Sequence, residues 1–220
     1  MIAKVLEGKK IAVFVENKFI PEEIDAYRTV FSLLGAEVIY VSKIWYGDYK
    51  PESVTFYSDV DPLDNAPWES PHRLEVKTDE STVEPESFAA VIMSANYTSV
   101  RLRWEHLPTS FDPVAYVKTP PVVRFFARAM ENPKIVKGAL CHGLWILTPN
   151  PHLLKDRKVT CHSVVMADII NCGAQVSLAN NGVIVDGDLV TGFSKHEVIP
   201  FSVAIANQVI ALSNSCNWVK

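Results

Sequence analysis

Residues 9–42 read KKIAVFVENKFIPEEIDAYRTVFSLLGAEVIYVS, and the fold class turns on this stretch. Its opening, Lys9 to Glu16, is short, nearly all apolar and rich in β-branched residues, the pattern of a parallel strand buried on both faces. Pro21 suits a first helical turn, where its missing N–H is no loss, and Glu22 and Glu23 complement the positive end of a helix dipole. Ile24, Tyr27, Val30, Phe31 and Leu34 recur at helical spacing, and Gly35 supplies a stop. A second strand, AEVIYVS, follows. The unit is β-α-β, and such crossovers are right-handed.

Working outward, the alternation continues. SFAAVIMSA (87–95) reads as a third core strand, PPVVRFFARAMEN (120–132) as an amphipathic helix with proline at its start, and IVKGALC (135–141) as a fourth strand. GLWILTPNPHLL begins a helix limited by Pro149 and Pro151. RKVTCHS reads as a fifth strand, VVMADIINCGA as a helix closed by Gly173, and VIVDGDLVTGF (183–193) as two strands around an Asp186-Gly187 turn. HEVIPFSVAIANQVIALSN is a final helix. Strands alternating with helices predict an α/β sandwich around a mainly parallel sheet, within one domain over 1–220. Residues 43–86 break the pattern: they hold five prolines and two short alternating pieces, VTFYS and RLEVKT. They read as a long excursion carrying a β-hairpin, with either a binding or assembly role or none beyond a tolerated surface insertion.

Composition narrows the function classes. With 48% hydrophobic residues, 21% charged residues and a net charge of -4, the 220-residue chain has ample core material and no basic footprint for nucleic acid or anionic membrane. No apolar run reaches bilayer length, and the N-terminus lacks a signal-peptide pattern, so a soluble, cytoplasmic protein is expected. The four cysteines, Cys141, Cys161, Cys172 and Cys216, fit no zinc spacing and include no CxxC. No glycine pattern for a nucleotide is present. The expectation is no metal and no cofactor.

Ligands in open α/β sheets bind at the carboxyl ends of strands. Three candidates fall there: Glu23, the SANY stretch at 94–97, and Cys141-His142 within GALCHGLW (138–145). A cysteine on a strand–turn–helix junction faces unpaired N–H groups that favour the thiolate and can hold an oxyanion. The competing reading is a buried core thiol. For Glu23 the alternative is dipole complementation alone, and Glu22 fills that role as well. For His142 it is a ring that packs or bonds to a carbonyl. His162 falls after the fifth strand, as a polar neighbour of the site. The KHEV stretch (195–198) reads as helix capping and surface, and Arg101, Arg103 and Trp104 as a solvated loop, with binding of an anionic substrate or a subunit as the alternative. Cys161 and Cys172 read as core, and Cys216 as exposed and incidental.

GALCHGLW, Glu23 twelve residues before Gly35, and the tail VTCHSVVMADIINCGAQV with VIVDGDLVTGF together resemble the ThiJ/PfpI superfamily of glutamine-amidotransferase-like proteins. The resemblance covers about 9–42 and 87–212, not 43–86. It implies a flavodoxin-like three-layer sandwich, with Cys141 as nucleophile, Glu23 hydrogen-bonded to its sulfur and moving a proton, and His142 as the base of the peptidase-like branch. It also implies the N–H of His142 as one oxyanion donor, with Ala95, Asn96 and His162 around the substrate. It further implies a homodimer or higher homo-oligomer. The chain departs from the family where Met93-Ser94-Ala95 replaces a PGG turn and where Leu144 replaces a proline. A glycine turn lets backbone approach a ligand without a Cβ, so Ser94 and Ala95 must hold an ordinary conformation or accept strain, with Asn96 offering its amide instead. The activities in view are a cofactor-free attack on a small reactive carbonyl (glyoxalase- or deglycase-like) and a cysteine peptidase or amidase. A non-enzymatic oxidation sensor or oligomeric binding protein is the third.

Overall fold

The computed structural model describes residues 4–59 and 72–215. In chain order the elements are β1 (Lys10–Phe14), α1 (Pro21–Leu33), β2 (Glu37–Ser42), β3 (Val54–Tyr57), β4 (Arg73–Val76), β5 (Thr78–Asp79), β6 (Ala90–Met93), α2 (Thr98–Leu102), α3 (Pro113–Tyr116), α4 (Pro121–Glu131), β7 (Val136–Leu140), β8 (Lys158–Val159), α5 (Ser163–Asn171), β9 (Gln175–Val176), β10 (Val183–Asp186), β11 (Leu189–Gly192) and α6 (Val198–Ser215). The central sheet runs β10-β11-β7-β6-β1-β2-β5. Every neighbouring pair in it is parallel except β10–β11, which closes antiparallel around Gly187 at φ +58.

The strands alternate sides, and each side feeds its own core. Ile11 and Val13 of β1 face α1 and α6, packing with Tyr27, Phe31, Phe201 and Ile205. Ala12 and Phe14 face the other way, with Phe125, Phe126, Val165 and Ile169 of α4 and α5. The Phe14 ring lies 4.9 Å from that of Phe125 and 5.0 Å from that of Phe126, in the tilted and edge arrangements aromatic quadrupoles favour. The result is the expected three-layer α/β sandwich.

The excursion forms its hairpin, β3 against β4 antiparallel, and also does something the sequence reading did not anticipate. After the hairpin, β5 adds a parallel edge strand beside β2. Two other expectations need correction. RKVTCHS is no fifth strand of the central sheet: only Lys158–Val159 is extended, pairing with β9 in a separate two-stranded sheet, because His162 already caps α5. The stretch after Cys141 is a five-residue 3-10 turn, Gly143–Leu147, not an α-helix. Cys161 is buried as expected and Cys172 half-buried, while Cys216 lies outside the described residues. Ser194 and Glu197 form a reciprocal capping box ahead of α6, so the KHEV stretch does cap a helix. No helix among the described residues is long and apolar enough to cross a membrane.

Candidate functional site

The site lies at the carboxyl ends of three neighbouring strands, β7, β6 and β1. β7 delivers Cys141 in a left-handed conformation, φ 59, unusual for a residue with a Cβ. Its backbone is clamped on both sides. The Cys141 N–H donates to the Gly192 carbonyl at 2.8 Å, and its own carbonyl accepts from the His162 N–H at 3.2 Å. Strained conformations persist where the surroundings over-determine them, and they gather at functional sites. Gly143 lets this turn lie against β6: a Cβ there would stand 2.8 Å from the Met93 carbonyl oxygen. In the turn after β6 the left-handed residue is Asn96, φ 61, so Ser94 and Ala95 avoid positive φ, the first of the two alternatives. Asparagine tolerates that region better than most residues.

Glu23 comes from the first turn of α1 and is fully buried. Its carboxyl accepts from the Tyr27 hydroxyl at 2.6 Å and from the Ala95 N–H at 3.0 and 3.1 Å. Burial pushes it up to about 7 against those bonds, which pull it down. Tyr27 was missed in the sequence, although its place four residues after Glu23 put both on one helix face. Burial and the carboxylate hold its hydroxyl well above its ordinary range, so it remains a donor.

The backbone N–H groups of Asn96 and His142 point at the Cys141 sulfur and stabilise its anion, but burial is the larger effect and pushes the thiol up to about 12. The neighbouring Glu23 charge adds to the rise. This corrects the expectation of a preformed thiolate. A five-residue 3-10 turn has too little dipole to offset a sulfur in a residue only 9% exposed.

His142 pairs each ring nitrogen with a neighbour other than Cys141. Nδ1 pairs with the Asn96 carbonyl at 3.1 Å and Nε2 with His162 Nδ1 at 3.3 Å. Burial and His162 hold its pKa below the ordinary value. The Asn96 side chain also turns away, donating to the Lys18 carbonyl and to Asp59. The Ala95 N–H is spent on Glu23. So the structure brings Cys141, His142, His162, Glu23 and the backbone of Asn96 together, and leaves the Asn96 carboxamide outside. Arg103 stacks over Trp145, 5.3 Å from its ring centre, and bonds to Thr148, so it braces the turn after Cys141 and is no free anion-binding loop.

Residues 112–208 match the model of the DJ-1/PfpI family. Known structures share the fold. A two-domain protein of Anabaena variabilis with dj-1/thij/pfpi-like and ferritin-like domains superposes with a TM-score of 0.71 at 20% identity, over 91% of this chain and 48% of that one. The chain thus spans about half the length of that relative. A ThiJ/PfpI domain protein of Brachyspira murdochii gives 0.70 at 15% identity, over 93% and 98% of the two chains. Schizosaccharomyces pombe DJ-1 gives 0.62 at 15%, over 94% and 97%. This is a DJ-1/PfpI fold. No curated protein matches the chain in sequence. The DJ-1/PfpI match spans Cys141, His142 and His162 but stops short of Glu23, which the fold brings into the electrostatic field of the thiol.

Proposed function

We propose that the protein is a cysteine-dependent, glyoxalase- or deglycase-like enzyme acting on a small reactive carbonyl compound, with Cys141 as nucleophile and Glu23 as proton carrier. The observation that carries this reading is the placement of Glu23: a fully buried carboxyl, raised to about 7 by that burial, in the field of the Cys141 thiol. A general base works best with a pKa near the operating pH. The thiol rests protonated, so its proton must leave as attack proceeds. Sulfur adds to an aldehyde carbon, the C=O π pair becomes an alkoxide, and the thiol proton passes to the Glu23 carboxylate. The N–H groups of Asn96 and His142 adjoin the place where that alkoxide forms. Returning the proton to oxygen completes a hemithioacetal. For a 2-oxoaldehyde the net reaction, with water, is a 2-hydroxy acid, which needs no external oxidant.

The peptidase or amidase alternative asks for an imidazole nitrogen paired with the sulfur, whereas the His142 nitrogens pair with the Asn96 carbonyl and with His162. The sensor alternative asks for a standing thiolate, which burial opposes. Methylglyoxal turnover tests the proposal. Turnover should vanish in Cys141→Ala, and kcat/KM should climb with pH through about 7 as Glu23 loses its proton. Glu23→Gln should cost on the order of 100-fold and flatten that climb. Turnover indifferent to both substitutions would overturn the reading, as would a folded protein inert to 2-oxoaldehydes.

A further inference from the structure

The two histidines face each other in a way that proton bookkeeping leaves incomplete. A carbonyl oxygen only accepts, so His142 Nδ1 carries the proton it gives to Asn96, and in the neutral ring Nε2 is a bare lone pair. His162 Nδ1 accepts from the Val164 N–H at 3.3 Å as the cap of α5, so it too presents a lone pair. These two nitrogens stand 3.3 Å apart. Two lone pairs at that separation are relieved either by a proton on one of them or by a metal cation beside both. The third donor is Cys141, and one donor atom from each of the three residues lies within 4.8 Å of the others.

We propose that Cys141, His142 and His162 form a binding site for a borderline-soft divalent cation of the Zn2+ class, with a fourth position open to water or a small ligand. The histidine spacing suits this ion, and the sulfur lies close enough to close onto it. Tetrahedral coordination with Zn–N bonds of about 2.0–2.1 Å sets a nitrogen–nitrogen edge of about 3.3–3.4 Å, and the histidines already hold it. The Asn96 carbonyl on Nδ1 fixes the tautomer and orientation of His142, as outer-shell carbonyls do for metal-bound imidazoles. Mixed sulfur and imidazole donors select against Mg2+ and Ca2+, which take oxygen ligands. Binding is redox-neutral: the thiol proton leaves to solvent, the sulfur and two imidazole lone pairs form three bonds, and the ion sheds water. His162 must withdraw its lone pair from the Val164 N–H. Val164 is exposed, so that N–H can turn to water. The site uses the sulfur of the proposed nucleophile but does not depend on carbonyl chemistry, and an ion seated there would occupy the lone pair that attacks.

The test is a titration of the reduced, chelator-treated full chain with Co2+, followed by displacement with Zn2+. One ion per chain is expected, with the intense visible bands of a tetrahedral centre and a sulfur-to-cobalt charge-transfer band. Cys141→Ala should abolish the charge-transfer band. His162→Asn should weaken Zn2+ at least tenfold; its carboxamide oxygen can still cap Val164, and an unchanged unfolding midpoint without metal checks that it folds. Saturating Zn2+ should also protect wild-type Cys141 from alkylation. Octahedral-type weak bands, no charge-transfer band, or affinity unmoved by both substitutions would overturn the site. Because carbonyl turnover is assayed with chelator present, either proposal can fail without the other.

Discussion

At Cys141 two influences oppose each other: N–H groups that favour the anion, and burial that disfavours it. Burial is the larger, so nucleophilicity here depends on where the proton can go. Glu23 carries a measurable consequence for stability. Its carboxyl is pushed from the ordinary 4.5 to about 7 in the fold, so the folded state holds a proton more tightly than the unfolded chain. The stabilisation is complete below 4.5 and is lost as pH rises through about 7, up to about 3 kcal/mol in all. Glu23→Gln should remove that loss, because the carboxamide keeps an acceptor for the Ala95 N–H without a charge. Urea midpoints at pH 5 and pH 8 should therefore converge in the variant. A pH difference as large as in wild type would show that Glu23 is not the group responsible. Gly143→Ala belongs to the same scale. Its Cβ would press on the Met93 carbonyl at 2.8 Å, so a loss of about 1–3 kcal/mol and a changed rate of Cys141 alkylation are expected, read by thermal unfolding and mass spectrometry.

Among the elements, β5 depends on one side chain. Asp79 accepts from the Ile44 and Trp45 N–H groups at 2.8 Å each and from the Ser81 N–H at 3.0 Å, fastening both ends of the excursion to the sheet edge. Asp79→Ala leaves a buried N–H at Ile44 without its partner, and a loss of about 1–3 kcal/mol is expected. Asp79→Asn, which retains one oxygen, should recover part of it. Equal urea midpoints for wild type and alanine variant would show that the edge strand holds without this anchor. This anchor was not legible in the sequence, whereas the hairpin it secures was. VTFYS and RLEVKT alternate with period two, a local signal, while Asp79 acts on residues some 35 positions earlier. The first β-α-β unit was readable for the same local reason, since proline, helical spacing and glycine agree over residues 21–35. RKVTCHS misled because a β-branched pair ran straight into a helix cap, and the short α2 and α3 are too brief to show a period. At the site, Cys141 and Glu23 were legible as strand-end candidates, and the resemblance added their roles. The meeting of β1, β6 and β7, the tautomer of His142 and the burial that sets the thiol are tertiary facts that no local pattern carries.

Across the whole molecule, the sheet keeps its chemistry and its buried ion pair at opposite ends. Cys141 follows the carboxyl end of β7, while Lys137 near its start is 1% exposed and gives its ammonium to Asp188 and to the Asn132 carbonyl. Burial holds Lys137 below its ordinary pKa, opposed by Asp188. Arg157 bridges the same turn, bonding Asp186 at 2.6 Å and Asp188 at 2.9 Å. Removing one partner of a buried pair costs more than the pair contributes, because it strands a charge. Asp188→Asn should therefore destabilise by about 3–5 kcal/mol, and Lys137→Met combined with it should restore most of that loss. Four residue steps along a strand separate Lys137 from Cys141, about 13 Å, far enough for energetic independence. The pH profile of Cys141 alkylation should then be the same in the double variant as in wild type, while Glu23→Gln shifts it. If the double variant moved that profile, the two ends of β7 would be coupled through the strand, and the site's proton balance would have to be assigned to the whole sheet and not to Glu23 alone.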